Sequence, residues 1–533
     1  MRSNAEIVVD VLERAGVRSV FGLPGAQNAR FIEALYGSRI KFVLVSHEAG
    51  AGFMADVTSR LTGRIGVCLS TLGPGATNMA TGVGNAYLDR VPVLALTATM
   101  GRKWKNRTVQ MQIDHRRLYG PITKWSAEMT PGDVYPLLEK AIRIARSEPP
   151  GPVHLDMPED FAEELSGETC SRFQPQVRAS RDIEERALGA AETILRGTEY
   201  PLLAVGLTMN RAGATRELRE VIRKHDLPVV TTLMAKGQVE ESDPHFVGVL
   251  GRARRDLVNA YCARADLVIG VGYDPVEFNY EEWLRKDVPL LSIDTVPVDI
   301  DPGYSVAGEL RGDIRTALRR ILRLPALQPK WSSRERSAHR ERLLRALTPR
   351  TKTFSPHRAL ISMREALPAD GILVSDVGAH THVLGQLWDT KGPVNFLVSN
   401  GWSSMGFAIP AAVAAKLARP DRVVFACVGD GGFLMSAGEI NTAVRMSLPI
   451  VFVIFRDNYL SLIRVKQKRK KYHPSGVRLF ETTYRSSDNF FGARVITAED
   501  EESFRDALRE GLASKMPTII EAAVDPREYE TLV

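Results

Sequence analysis

Two aspartates stand twenty-seven residues apart in the run Val428 to Leu460, VGDGGFLMSAGEINTAVRMSLPIVFVIFRDNYL, each directly after an apolar stretch or one residue beyond it. Val423 to Gly429 reads as a strand, Ser436 to Met446 has helical periodicity, and Ile450 to Phe455 is a second, fully apolar strand. Parallel strands joined by a helix point the same way. If these two are neighbours, their carboxyl ends lie roughly 5 Å apart, and Asp430 and Asp457 emerge at the edge where open α/β sheets bind ligands. A carboxylate pair there suits a hard cation such as Mg²⁺, which takes oxygen ligands in octahedral array and bridges carboxylates to ligand phosphates. Gly431 and Gly432 precede the helix, so their N–H groups can face an anion with no side chain in the way. Cation and cradle together imply a bound diphosphate. The plainer alternative is a tight turn at Gly429-Asp430-Gly431 with Asp457 as a helix cap.

The N-terminal third carries a second acidic position at a sheet edge. Lys41 to Val45 reads as a strand and Glu48 to Thr62 as a helix ending near Gly63, which puts Glu48 on the strand-to-helix turn. An isolated glutamate there would ordinarily offset the helix dipole. Gly73-Pro74-Gly75-Ala76 separates a strand at Ile65 to Ser70 from a helix at Thr77 to Asp89, and such a turn lets a ring approach the backbone closely.

Gly429-Asp430-Gly431, followed after this interval by Asp457-Asn458, resembles the cofactor motif of thiamine-diphosphate enzymes. Three further segments, Phe21 to Leu35 (FGLPGAQNARFIEAL), Leu69 to Ala98 and Ser399 to Ala412 (SNGWSSMGFAIPAA), are similar to the acetolactate synthase branch of that family. The resemblance implies Asp430, Asp457 and the backbone carbonyl of Tyr459 as Mg²⁺ ligands. It implies Glu48 as the carboxyl that hydrogen-bonds N1′ of the aminopyrimidine, a task that needs a carboxyl in a largely apolar site. Met405 matches the residue that bends the cofactor, Ser403 offers the carbonyl for its amino group, and Gly378, Ala379 and His380 match the loop on the other side of the diphosphate. Pro24, Gly25, Asn78, Gly429, Gly431, Gly432 and Leu460 fall at cofactor positions by the same likeness. Gln112, Leu462 and Ile463 fall beside the substrate. His380 and His382 as a metal pair on a strand are the alternative.

A chain of 533 residues exceeds what one core serves, and 44% hydrophobic with 25% charged residues is a globular balance. Apolar periodicity lapses at Leu165 to Ala179 and at Leu324 to Pro356, the second lapse containing a charged helical stretch at Ser332 to Ala346. Three doubly wound α/β domains follow, 1–168, 180–325 and 355–533, the middle one with strands at Leu202 to Val205, Val229 to Thr231, Leu267 to Val271 and Leu290 to Ile293. MRSNAEIVVDVLERAG reads as an amphipathic helix capped near Asn4, without a leader's apolar core, and no stretch reaches eighteen apolar residues. A cytoplasmic protein is expected, with no membrane partner. Cys68, Cys170, Cys262 and Cys427 have no paired spacing, which argues against disulfides and zinc.

The net charge is +7, and its densest basic run is Arg464 to Lys471 (RVKQKRKK). Without interleaved aromatics or a recognised module it does not read as a nucleic-acid footprint. It reads as a solvated helix face, or as an entrance that attracts a carboxylate or a coenzyme A phosphate. The middle-domain exit Gly272-Tyr273-Asp274-Pro275-Val276-Glu277-Phe278 lacks the Arg-Phe-Asp-Asp segment of the FAD-holding anabolic enzymes and looks like the FAD-free catabolic ones. The resemblance therefore implies decarboxylation of a 2-keto acid with carboligation, pyruvate to 2-acetolactate, in a homodimer or homotetramer with sites between subunits. Other thiamine carbon–carbon lyases or ligases, namely non-oxidative or acyl-CoA decarboxylases and carboxyethylarginine synthase-like enzymes, remain as alternatives, and so does a non-catalytic relative. Met111, Ser46, Gln27 and Lys466 depart from the family's residues where donor or acceptor would bind.

Overall fold

A computed structural model describes residues 1–169, 173, 182–479 and 489–533. Three large sheets succeed one another along the chain, besides a two-stranded pairing of Arg2–Ser3 with Leu165–Ser166. The first has strands β1 (Ser19–Gly22), β2 (Lys41–Leu44), β3 (Gly66–Ser70), β4 (Val93–Thr99), β5 (Trp125–Glu128) and β6 (Val153–Pro158), in the spatial order β2-β1-β3-β4-β6-β5. The second comprises β7 (Pro201–Val205), β8 (Val229–Thr231), β9 (Phe246–Val249), β10 (Leu267–Val271), β11 (Leu290–Asp294) and β12 (Val306–Arg311), ordered β9-β8-β7-β10-β11-β12. The third holds β13 (Ile372–Ser375), β14 (Phe396–Val398), β15 (Val424–Gly429), β16 (Val451–Arg456), β17 (Asn489–Phe490), β18 (Ala493–Ala498) and β19 (Thr518–Ala523), ordered β14-β13-β15-β16-β19-β18-β17. Within these sheets every strand pairing is parallel except β17 with β18. Helices cover both faces, so central strands such as β3, β10 and β16 are buried on both sides and read as unbroken apolar runs.

Seven helices position the residues of interest: α1 (Glu48–Thr62), α2 (Pro74–Leu88), α3 (Ala379–Leu387), α4 (Ala408–Ala418), α5 (Asp430–Ser436), α6 (Glu439–Arg445) and α7 (Ser461–Arg469). Gly63 ends α1 in the left-handed conformation at φ 68°. Helix α2 starts at Pro74, earlier than its apolar periodicity indicates, because proline is pre-set for the first helical position. The single helix expected over Ser436 to Met446 is two helices. The first begins at Asp430, and the chain breaks at Ala437-Gly438, where the Gly438 carbonyl accepts the Ser46 hydroxyl at 2.8 Å. His380 and His382 lie on α3, not on a strand. The N-terminal helix spans Asn4–Arg14, with Ser3 rather than Asn4 as its cap.

The stretch after residue 325 is not a bare linker. Its helix Ser333–Leu347 buries Leu343 and Leu347, and His339 Nε2 bonds the Val247 carbonyl of the middle unit at 2.8 Å. Strands β9 and β12 escaped the sequence reading. The first carries Gly248 at φ 139° with a register shift, and the second is a largely exposed edge strand. Cys170 lies outside the described residues; Cys68, Cys262 and Cys427 are buried and free.

Candidate active site

Strands β15 and β16 are adjacent, Gly429 opposite Phe455, so Asp430 and Asp457 leave one sheet edge together. Asp430 opens α5 and is buried; its Oδ2 accepts the N–H groups of Asp457 at 3.1 Å and Asn458 at 2.7 Å. Asp457 accepts Tyr459 N–H on Oδ1 and Ser461 Oγ–H on Oδ2, both at 2.9 Å. Asn458 holds the intervening turn at φ 64°. Burial pushes both carboxyl groups up from the ordinary aspartate range, and for Asp457 the proximity of Asp430 adds to it. A divalent cation between them would reverse that penalty, because both carboxylates would then ionise as its ligands. Leu460 N–H pairs with the Val477 carbonyl and Leu479 N–H with that of Asn458, which leaves the Tyr459 carbonyl outside this ladder.

The glycines after Asp430 sit against close neighbours. A Cβ on Gly431 would stand 2.6 Å from Leu460 Cδ2 and 3.1 Å from Met405 Cε, so Leu460 and Met405 meet above the start of α5. A Cβ on Gly432 would stand 2.5 Å from Asp376 Oδ2. His380 lies behind Gly378 and Gly429, buried; its Nε2 has no partner, and burial holds the imidazole down to about 4, hence neutral. The orphaned nitrogen, the glycine-lined helix start and the acid pair together fit a metal-bound diphosphate.

Asp376 was not anticipated. Both its oxygens accept Gly406 N–H at 3.0 Å, and Oδ1 also takes Val377 N–H at 2.7 Å. It ties the Met405 loop to the His380 loop, and burial pushes it up to about 7 against those backbone donors. Its sequence signal was only a polar residue ending an apolar strand.

Glu48 is buried at the start of α1, where Asn78 Nδ2 donates to its Oε2 at 3.0 Å. A Cβ on Gly75 would lie 3.2 Å from Glu48 Oε1, so the α2 start faces this carboxyl. The preceding turn is held from the third sheet, with Glu439 Oε1 accepting the N–H groups of Ser46 and His47 at 2.8 and 3.1 Å. Pro24 is exposed, and Gly25 lies against Thr71, its N–H donating to Asn28 Oδ1 at 2.8 Å.

A buried relay that sequence reasoning also missed supports the Gly73 turn. Gly73 N–H donates to His115 Nε2 at 3.2 Å, which leaves Nδ1–H to donate to Asp156 Oδ1 at 2.8 Å. Thr97 O–H donates to the same oxygen at 2.5 Å, accepts from His154 Nε2–H at 2.7 Å, and Ser126 donates to His154 Nδ1 at 2.7 Å. Every donor has an acceptor, so this His-His-Asp group is a closed hydrogen-bond network rather than an open metal site. Its members are far apart in sequence and only the sheet brings them together.

The two halves lie apart in one chain. Glu48, Asn78 and Gly75 gather at the start of α2, whereas Gly401 N–H bonds Asp89 Oδ1 at 2.7 Å and Ser399 Oγ bonds Asn85 Oδ1 at 2.5 Å, at its end. Asn78 to Leu88 covers about 15 Å of helix. Gln112 belongs to the Glu48 half, where its Nε2 donates to the carbonyls of Lys105 at 3.2 Å and Trp104 at 3.4 Å and the Met111 carbonyl packs against Gly73. Leu462 lines a cavity beside Gly378 and Ser403, while Ile463 is 44% exposed.

The sequence matches the thiamine pyrophosphate enzyme family in all three of its parts: the N-terminal TPP binding domain over residues 2–118, the central domain over 188–321 and the C-terminal TPP binding domain over 376–522. It is 30% identical over 536 residues to an acetolactate synthase of Bacillus subtilis, covering 98% of this chain and 93% of that one. The chain belongs to the acetolactate synthase-like thiamine-diphosphate enzymes. It is also 30% identical to a catabolic acetolactate synthase of Raoultella terrigena over 99% of this chain and 96% of that one. A probable acetolactate synthase large subunit of Methanocaldococcus jannaschii is 31% identical, over 99% and 93%. As a member of this family it is an enzyme of thiamine-dependent decarboxylation and carboligation, built from three α/β units. Among the described residues, no helix is long and apolar enough to cross a membrane.

Proposed function

We propose that the enzyme decarboxylates pyruvate and joins the two-carbon unit to a second pyruvate, giving 2-acetolactate, with Mg²⁺ and without FAD, in the cytoplasm. The observation that carries the cofactor assignment is the pair Asp430 and Asp457 at one sheet edge, with Gly431 and Gly432 open beside it. Asp430, Asp457 and the Tyr459 carbonyl would hold Mg²⁺; Gly429, Gly431, Gly432, Gly378, Ala379 and His380 would surround the diphosphate. Ser403, Met405 and Leu460 would meet the ring system, with Pro24, Gly25 and Asn78 on the opposite side.

When bound, thiamine diphosphate supplies a carbanion and an electron sink. This chain's residues supply the rest. Glu48 exchanges a proton at N1′, held in place by Asn78 and screened from water by its burial. Met405 and Leu460, which meet above Gly431, would bend the cofactor and exclude water from its reacting carbon. Leu462, Ile463 and Gln112 would flank the keto acid. Because Glu48 and Met405 lie at opposite ends of α2, a site would join the first unit of one subunit to the third unit of another, in a homodimer or a dimer of dimers.

The FAD-free reading is supported in the middle unit. The buried Glu277 carboxyl accepts Leu207 N–H at 2.7 Å, a donor at the β7 exit of the kind that dinucleotide phosphates use. Incubation with pyruvate, thiamine diphosphate and Mg²⁺ should give acetolactate, read as acetoin after acid treatment. Failure to form it, with the cofactor bound in a circular dichroism titration, overturns the pyruvate reading.

A further inference from the structure

A cavity of about 890 Å³ opens where the middle unit meets the third sheet. Gly378, Ser403 and Leu462 line it together with Arg252, Lys466, Arg469 and Lys470. The carboxylates that line it are already engaged. Asp256 pairs with Arg254 at 2.9 Å and Glu282 with Arg255 at 3.6 Å, while the buried Glu277 carboxyl accepts Leu207 N–H at 2.7 Å and Thr232 O–H at 2.5 Å. Among the described residues, Lys466, Arg469 and Lys470 have no carboxylate within ion-pair reach. Arg252 gives one bond to Asn400 Oδ1 at 2.5 Å, and its buried Nε has no partner. Four cations around one cavity, one with an unused buried donor, suit a multiply charged oxyanion. Along α7, Lys466 lies one turn and Lys470 two turns beyond Leu462, about 6 and 12 Å. A carbonyl held at the Leu462 end thus places a charged group a few bonds away among these cations.

We propose that the enzyme has a further activity, the transfer of the keto-acid-derived unit to a short aldehyde or ketone carrying a phosphate ester, bound by Arg252, Lys466, Arg469 and Lys470. A phosphate monoester brings a charge of about −1.5 to −2, which matches this lining better than the single carboxylate of pyruvate. In the net reaction the C1–C2 bond of the keto acid breaks and CO₂ leaves. The electron pair left at C2 forms the bond to the acceptor's carbonyl carbon, and a proton is taken up, so no oxidant is needed.

The inference rests on keto-acid decarboxylation as the donor step, and two measurements separate the two readings. With pyruvate as donor, glyceraldehyde 3-phosphate should exceed glyceraldehyde at least tenfold in kcat/KM, a preference that shrinks at high salt. The double variant Arg252→Met, Lys466→Met should bring the ratio within about threefold of unity, and Arg252→Lys should keep part of it. Independently of turnover, calorimetry on the chain loaded with thiamine diphosphate and Mg²⁺ should detect glycerol 3-phosphate but not glycerol, and Arg252→Met should abolish that signal. Absence of glycerol 3-phosphate binding, equal use of the two aldehydes, or preference for 2-oxoglutarate overturns the proposal. Absence of acetolactate from pyruvate alone overturns only the homocoupling reading.

Discussion

Buried carboxyl groups carry the most information at the scale of single residues. Asp376 is pushed up to about 7 by burial, from an ordinary 3.8. Between those values the unfolded chain has lost the proton and the folded chain keeps it, so stability must fall as pH rises from about 4 to about 7. In the absence of cofactor, the melting temperature of the wild type should therefore drop over this range relative to Asp376→Asn, which does not titrate. Parallel curves for the two proteins would remove Asp376 as the titrating anchor. The acid pair itself was legible in sequence because both members follow apolar strands at a spacing that one crossover helix satisfies. Asp376 was not, since its importance lies in reaching Gly406 and packing against Gly432, thirty and fifty-six positions along the chain.

Among elements, α5 shows how a helix start becomes a cradle. Its first turn supplies Asp430 and two glycines, and the position of Gly431 leaves space that Leu460 and Met405 fill. Gly431→Ala should leave the fold intact, with overpacking of about 1 to 3 kcal/mol, since both neighbours are the ends of flexible side chains. Thiamine diphosphate affinity should nevertheless fall at least tenfold in a fluorescence titration. Unchanged affinity would mean that the Met405 position does not govern the ring system. Periodicity located α1 to the residue because a strand exit, an N-cap and a terminal glycine all mark it. It misjudged the α5–α6 region, where the helix is interrupted by a contact with Ser46 that no local pattern announces.

For the whole molecule, the decisive feature is the distance between the two half-sites across α2. Subunits carrying Glu48→Gln and subunits carrying Asp430→Asn should each be inactive. Mixed and allowed to exchange, they should recover about a quarter of wild-type activity, because half the dimers are mixed and each mixed dimer has one intact site. No recovery despite demonstrated exchange would place both residues in a site within one chain.

The sequence by itself determined three α/β units, the acid pair with its glycines and Glu48 at a helix start, because each rests on short-range pattern: strand length, crossover spacing, caps and turns; its resemblance to the thiamine enzymes rests on matching motifs along the chain. Only the tertiary structure decided which distant groups meet. The Thr97-His115-His154-Asp156 relay, the Asp376 anchor, the separation of Glu48 from Met405 and the cationic lining around Arg252 depend on how sheets stack and which strands become neighbours. Those contacts are set by burial of the sheets' faces against shared helices, and a linear pattern does not encode that pairing.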